Sequence, residues 1–290
     1  MTNSLAKIFL TGGTGLLGSR IRKFFSASGY VVNSDRIEIR SYEKLVDNLT
    51  DFSPNYVIHT AAITDVKACE SDKELCQSVN VNGTKNVLNV ARKLSIPIIY
   101  ISTASVFEGT KKTYKEYDVA KPTNYYSQSK LEGESFVLEY EKGMVVRLNL
   151  IGLHEERTTP KNFFEWALCN ILQNNDMNLF NDVFTNPLSD ITCAYLLKRI
   201  IDDGITESIL HFGSRTSLSK AEIVKYMVKK IGTYTGKISE LSIDTLSGPD
   251  RPKNMVLNVS RTENRLKISM PTLEQEIDTL LENRKLLKFS

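Results

Sequence analysis

The run Ile8-Phe9-Leu10-Thr11-Gly12-Gly13-Thr14-Gly15-Leu16-Leu17-Gly18 decides the fold of this 290-residue chain. It sets Gly12, Gly15 and Gly18 at a G-x-x-G-x-x-G spacing, directly after an apolar strand pattern and at the opening of a helical one. A backbone that turns tightly and approaches a pyrophosphate has no room for a Cβ, and the first turn of the following helix offers unpaired N–H groups to the anion. Gly12, Gly15, Leu16, Leu17 and Gly18 are therefore the expected phosphate-holding turn of a dinucleotide. A G-x-x-x-x-G-K-[ST] loop is absent from the sequence, which argues against nucleoside triphosphate hydrolysis.

Outward from this turn, apolar runs rich in β-branched residues alternate with amphipathic helical patterns. Lys7 to Leu10, Tyr30 to Asn33, Tyr56 to Thr60, Ile98 to Thr103 and Met144 to Leu150 are the strand candidates. Leu17, Ile21, Phe24 and Phe25 form one face of a helix ended by Gly29, and Val87, Val90, Ala91 and Leu94 repeat the helical spacing. Such alternation predicts an α/β fold, a Rossmann-type doubly wound parallel sheet covered on both faces. Beyond residue 150 the alternation fades into a loop (Leu153 to Pro160), an aromatic-rich helix (Asn162 to Leu172), a polar turn region around Asn174 to Pro187, and a helix capped by Ser219. The expected organisation is a dinucleotide-binding domain over residues 1–150. Residues 151–290 form mainly a smaller C-terminal substrate-binding lobe, with some segments returning to the first domain.

Composition excludes several classes. The formal charge of +3 comes from 37 basic and 34 acidic residues with no polybasic run, so a nucleic-acid partner is not expected. No apolar stretch approaches the ~20 residues that cross a bilayer, and the start lacks the apolar core of a signal peptide. A cytoplasmic protein without a membrane partner is expected. Cys69, Cys76, Cys169 and Cys193 form no C-x-x-C pair and have no histidine at metal-ligand spacing, so they are expected as small buried hydrophobes and no metal is expected. His59 and His211 fall in apolar strands, leaving only His154 in a loop near a plausible site.

After the second strand, Asn33-Ser34-Asp35-Arg36 leaves two readings open. Either Asp35 accepts from the ribose 2′-hydroxyl of NAD(H), or Arg36 and Arg20 neutralise the 2′-phosphate of NADP(H); the second is favoured. Further on, Tyr126-Ser-Gln-Ser-Lys130 lies in a predicted helix, where a spacing of four puts both side chains on one face. Ile98 to Thr103 is an apolar strand ending in Ser102-Thr103, and Asn80-Val-Asn-Gly-Thr84 opens a helix upstream. A phenol with a reference pKa of about 10 is a poor acid–base near neutrality, but an adjacent ammonium and an oxidised nicotinamide favour its phenolate.

Together with the glycine turn, these segments resemble the extended short-chain dehydrogenase/reductases, and among them the dTDP-4-dehydrorhamnose reductase family. The likeness runs over nearly the whole chain. It is carried by Ile58-His-Thr-Ala-Ala62 with Val66 and Glu70, Ile101 to Gly109, Asn124 to Glu134, Val146-Arg147, Asn162-Phe163, Asn181-Asp182 to Pro187, and Arg251-Pro-Lys-Asn254. The resemblance implies that Tyr126 exchanges a proton with the substrate oxygen, Thr103 hydrogen-bonds that oxygen, and Lys130 holds the ribose hydroxyls. It also implies that Glu38 and Ile39 flank the adenine, Ala61 and Ala62 line the cofactor cleft, and Asn80 supports the sheet. Val66, Thr103, Asn162, Phe163 and Arg251 are the implied substrate contacts. For Phe163, Phe164 and Trp166 a core role stays open beside contact with base or sugar, as does a surface salt bridge for Arg251.

Two positions depart from the family pattern. Ala104 stands where an acid usually follows the threonine, and Ser105 where an aromatic precedes the Val-Phe pair. The missing acid argues against a 4,6-dehydratase, since eliminating water needs a positioned acid and base beyond the tyrosine. The expected reaction is NAD(P)H-dependent reduction of the C4 ketone of a nucleotide-linked 4-keto-6-deoxysugar, with NAD(H) or NADP(H) as cofactor, a nucleotide-sugar as substrate partner and a homodimer compatible with the class. Two alternatives stay open: a dinucleotide-binding regulatory subunit like that of methionine adenosyltransferase, and a sugar-nucleotide 4-epimerase.

Overall fold

Runs of Ile, Val, Leu and Phe without polar alternation suit strands covered on both faces, and six such runs build the central sheet. The computed structural model describes residues 6–33, 36–154 and 162–283. Its main strands are β1 (Lys7–Thr11), β2 (Val31–Val32), β3 (Tyr56–His59), β4 (Ile98–Thr103), β5 (Gly143–Leu148) and β6 (Ile209–Phe212). All pair in parallel, in the order β6-β5-β4-β3-β1-β2. From β1 the chain steps outward to β2 and then returns to the other side of β1 as β3. This reversal opens a crevice at the carboxyl ends of β1 and β3.

Eleven α-helices are described: α1 (Leu16–Ala27), α2 (Tyr42–Phe52), α3 (Val66–Ser71), α4 (Lys73–Cys76), α5 (Thr84–Lys93), α6 (Tyr125–Leu138), α7 (Phe163–Leu172), α8 (Asp190–Asp202), α9 (Lys220–Ile231), α10 (Ser260–Leu266) and α11 (Leu273–Glu282). The stripe Leu17, Ile21 and Phe25 of α1 packs with Leu196, Leu197 and Ile200 of α8 on one face of the sheet. On the other face Leu45 and Leu49 of α2 meet Val87, Val90 and Ala91 of α5. A separate core joins Phe164 and Leu168 of α7, Ile223 and Val224 of α9, and Ile277 and Leu280 of α11. The second half of the chain therefore divides: α8, β6 and α10 build onto the sheet, while α7, α9 and α11 surround their own core. Cys69, Cys76 and Cys193 are buried and all four thiols are free.

Where the sequence suggests only a polar turn region over Asn174 to Pro187, the structure has two strands. Met177–Phe180 pairs in parallel with Ile238–Leu241, and Phe184–Thr185 lies between Leu218–Ser219 and Asn254–Met255. Met177 and Leu179 are buried while Asn178 is exposed, so the strand's one polar residue occupies the outer face of a period-two strand and the other polar residues flank it. The cap of α9 matches the sequence reading: Ser219 Oγ accepts from Glu222 N at 3.1 Å and Glu222 Oε2 accepts from Ser219 N at 2.7 Å.

Helix α6 is fixed to the sheet by charge. Glu134 accepts from Arg147 Nε at 3.0 and 3.1 Å and from Arg147 Nη2 at 2.6 Å, and from Ser102 Oγ at 2.5 Å. Arg147 Nη1 also donates to the Glu116 carbonyl at 2.9 Å. Both charged side chains are buried, at 4% and 0% exposure. Glu134→Ala would strand the guanidinium without a counter-charge, and urea unfolding at neutral pH is expected to register a loss of about 3–5 kcal/mol. A loss below about 1 kcal/mol, the range of exposed pairs, would show that the pair is not what holds α6.

Candidate functional site

The glycine turn has the shape of an anion cradle. Gly12 has φ +72°, and a Cβ there would lie 2.6 Å from Thr60 Oγ1 and 2.7 Å from Ala61 N, so the turn after β1 touches the segment after β3. A Cβ on Gly18 would lie 2.1 Å from the Gly12 carbonyl oxygen, which is how α1 closes onto the turn. Gly15 caps α1 with no side-chain hydrogen bond, and no acid stands in the first turn. The positive end of the α1 dipole is thus met by neither a side-chain cap nor an acid of its own first turn. Leu16 is half-buried, and Leu17 belongs to the core beneath α1.

Other expected cofactor residues have mixed placements. Arg20, one of two cations weighed for a 2′-phosphate, is instead ion-paired at 2.7 Å with the buried Asp190 of α8. Asp35 lies outside the described residues, and Arg36 is exposed. Glu38 is clasped by Arg40 Nε and Nη2 at 2.9 and 2.8 Å, which holds its carboxyl down to about 2. Ile39 is buried against the α2–α5 side, and its carbonyl accepts from Asn86 Nδ2 at 3.1 Å. Ala61 and Ala62 are half-buried beside the turn, with Ala61 N donating to Thr11 Oγ1 at 3.3 Å.

Thr103 at the end of β4 hydrogen-bonds Tyr126 of α6, and Lys130 follows one turn along the same helix. The Thr103 oxygen accepts from Ser105 N at 3.1 Å, so its own proton is free to reach Tyr126. Burial pushes the Tyr126 phenol up to about 12, partly opposed by the hydrogen bond from Thr103. Lys130 is buried, with Nζ 4.0 Å from the Tyr100 ring centroid. Burial brings the ammonium down to about 7, against the pull of the Glu134 carboxylate. Helix α6 starts on an Asn124 cap that accepts from Ser127 N at 2.9 Å, while Asn124 Nδ2 donates to the Asp250 carbonyl at 2.9 Å. Asn80, in a π-helical turn over Gln77–Gly83, takes the Ile63 N–H at 2.8 Å and gives to Ser129 Oγ at 2.9 Å. It thereby ties the segment after β3 to α6.

The other expected substrate residues are spread over α3, α7 and the run before Met255. Val66 opens α3 and is half-buried. Asn162 caps α7, accepting from Glu165 N at 3.0 Å and donating to the Gly152 carbonyl at 3.1 Å. Phe164 is core, but Trp166 is 37% exposed and stacks with the half-buried Phe163 at 6.1 Å between centroids. Arg251 is exposed, next to the Asp250 carbonyl that holds Asn124. Sequence reasoning missed Lys220, whose Nζ stands 4.0 Å from the centroid of the Phe163 ring. Its only sequence signal is a lysine directly after a helix cap. Among the described residues no group of three or more His, Cys, Asp or Glu gathers to hold a metal, and no helix is long and apolar enough to cross a membrane.

A profile of the RmlD substrate binding domain family matches residues 6–286. The chain belongs to this family. A relative, the probable low-salt glycan biosynthesis reductase Agl14 of Haloferax volcanii, is 28% identical over 289 residues, covering 94% of this chain and 96% of that protein. Methionine adenosyltransferase 2 subunit beta of Rattus norvegicus is 26% identical over 276 residues, covering 89% of this chain and 81% of that protein. The crystal structure of dTDP-4-dehydrorhamnose reductase from Bacillus anthracis in complex with NADP matches with a TM-score of 0.90 at 21% identity, covering 97% of this chain and 100% of that one. It shares the Rossmann-like α/β architecture.

Beneath the site, His59 is buried between Thr11 Oγ1 at 2.6 Å and Thr84 Oγ1 at 3.0 Å. Burial, reinforced by the charge of Lys130, pushes its pKa down to about 3. Between that value and the unfolded pKa of about 6.5, only the unfolded chain binds the proton. The stability contributed by neutral His59 is thus fully present above about pH 6.5 and is lost as pH falls towards 3, at about 1.4 kcal/mol per pH unit. His211, buried and likewise held at about 3, adds a similar slope. Urea unfolding from about pH 7 down to about pH 4 should show this fall, and His59→Gln should make it shallower by roughly the single-group amount. Equal slopes in the two proteins would refute it.

Proposed function

We propose that this chain is an NAD(P)H-dependent oxidoreductase that reduces the C4 ketone of a nucleotide-linked 4-keto-6-deoxysugar. The observation that carries this reading is the hydrogen bond between Thr103, the last residue of β4, and Tyr126 of α6, with the buried Lys130 one turn further along the same helix. Support for a sugar-nucleotide reductase comes from the names of Agl14 and of the NADP-bound Bacillus anthracis structure. Gly12, Gly15, Leu16, Gly18 and the first turn of α1 would hold the pyrophosphate; Leu17 would support that turn from beneath. Ala61 and Ala62 would wall the cleft, with Arg36, Glu38 and Ile39 towards the adenosine end. NADP(H) is the favoured form, because Arg36 is exposed and available to a 2′-phosphate.

The dinucleotide supplies hydride when bound. Tyr126 gives its phenolic proton to the ketone oxygen, and its raised pKa keeps that proton in place until transfer. Thr103 turns its hydroxyl proton towards the same oxygen. Lys130 stabilises the phenolate left behind and would hold the ribose hydroxyls of the dinucleotide. Val66, Asn162, Phe163 and Arg251 shape the substrate side. The contribution of these residues is orientation and charge stabilisation.

A second reading rests on the likeness to methionine adenosyltransferase 2 subunit beta: a dinucleotide-binding subunit without turnover. Consumption of NADPH or NADH with 4-keto-6-deoxy nucleotide sugars, followed by nicotinamide absorbance, separates the two. We expect turnover that falls at least about a hundredfold in Tyr126→Phe, the usual scale of positioned acid–base catalysis. Because kcat/KM reports groups of the free enzyme, it should decline above about pH 7 as Lys130 loses its charge. Tight dinucleotide binding with no turnover of any such sugar would overturn the reductase reading and leave the subunit.

A further inference from the structure

Lys220 is placed where a cation is least at home. It is the first residue of α9, at the positive end of a helix whose cap is already satisfied by Ser219 and Glu222. Its stem is partly buried, and its ammonium lies 4.0 Å from the Phe163 ring centroid, with Trp166 stacked alongside. Among the described residues, neither Lys220 nor Arg251 has a carboxylate partner. The contrast with nearby Lys253 is plain, since that residue is held by Asp182 at 3.3 Å and Asp244 at 2.6 Å. Burial and the neighbouring charge of Arg251 together lower Lys220 to about 8.

The backbone explains why the two cations converge. Phe184 pairs with Ser219 on one side and with Asn254 on the other. Lys220 N donates to the Val183 carbonyl at 3.0 Å and Phe184 N to the Lys253 carbonyl at 2.8 Å. The short strand Phe184–Thr185 is thus flanked by the start of α9 and by the run that follows Arg251. Two cations delivered to one place without an acid between them repel each other in the free protein, and an anion relieves that repulsion. An aromatic face beneath one of them adds affinity for its charge but cannot neutralise it.

We infer that Lys220 is a specificity residue that binds the diphosphate of the nucleotide-linked substrate, sharing it with Arg251 across the Phe163 ledge. This rests on the substrate class proposed above. A compact ammonium suits a single phosphate oxygen, whereas the arginine fork spans two. The diphosphate would supply the counter-charge that the fold withholds, so the site favours substrates that carry it over the free sugar.

Calorimetric titration tests this with dTDP, UDP, GDP and CDP and with the four matching nucleosides, on wild type, Lys220→Met and Lys220→Arg, each checked for unchanged NADPH affinity as a control for folding. At least one diphosphate should bind wild type, Lys220→Met should weaken it roughly tenfold to a hundredfold, and Lys220→Arg should restore most of the loss. Nucleoside binding should not change among the three proteins. In turnover, Lys220→Met should raise KM while leaving kcat nearly intact. Equal diphosphate affinity in wild type and Lys220→Met would overturn the Lys220 assignment while leaving the reductase reading standing. If wild type binds none of the four diphosphates and turns over no 4-keto nucleotide sugar, the proposed function itself fails and this inference fails with it.

Discussion

The buried pair of Glu134 and Arg147, with Ser102 as its third member, is the interaction on which the candidate site depends. Tyr126, Lys130 and Glu134 follow one another at steps of four residues, so they share one face of α6. The far end of that face is anchored to β4 through Ser102 and to β5 through Arg147, which fixes the rotation and height of the helix over Thr103. A buried ion pair is a poor source of net stability, because desolvating two charges offsets most of their attraction. Its value here is positional. A packed apolar replacement would hold the helix near the sheet, but it would not specify which face looks at the end of β4. The same carboxylate also sustains the charge of Lys130 against burial.

A second set of bonds holds the other end of the helix. Asn80 binds both Ile63 and Ser129, and the π-helical turn that carries it lets its side chain reach between the two. Tyr125 N donates to Glu70 at 2.7 Å, and the Asn124 cap grips Asp250. Tyr126 and Lys130 thus stand on a helix clamped from the sheet, from the segment after β3, and from the run beside Arg251.

Much of this was legible in the sequence where the determinant was local. The glycine turn, the apolar strands, the stripe of α1 and the Ser219 cap all depend on residues within a few positions of one another. The Tyr126–Lys130 spacing was readable for the same reason. What escaped depends on partners far apart in the chain. Arg20 suits a phosphate on paper, but Asp190, 170 positions away, takes it. Strand Met177–Phe180 was hidden because its outward residue is Asn178 and its flanks are Asn and Asp, residues that favour turns. Helix α6 has little apolar stripe to find, since four of its six buried residues are Ser127, Ser129, Lys130 and Glu134, beside Gly133 and Val137. Trp166 illustrates the opposite limit: its helix is apolar nearly all round, so periodicity alone could not show which aromatic faces outward.

The pairing of α1 with α8 has a consequence for how the protein is made. The stripe Leu17, Ile21 and Phe25 is synthesised before Leu196, Leu197 and Ile200, which cover it and come some 170 or more residues later. Strand β6, which completes the sheet beside β5, follows later still. Until then the nascent chain carries an uncovered apolar helix face and an open parallel edge, the surfaces on which immature α/β domains stick to one another. Loop closure over such a span is only modestly more costly than over a short one, so the exposure is one of time rather than of equilibrium. Synthesis speed and chaperone supply, more than the final free energy, would then set how much of this chain reaches its folded state.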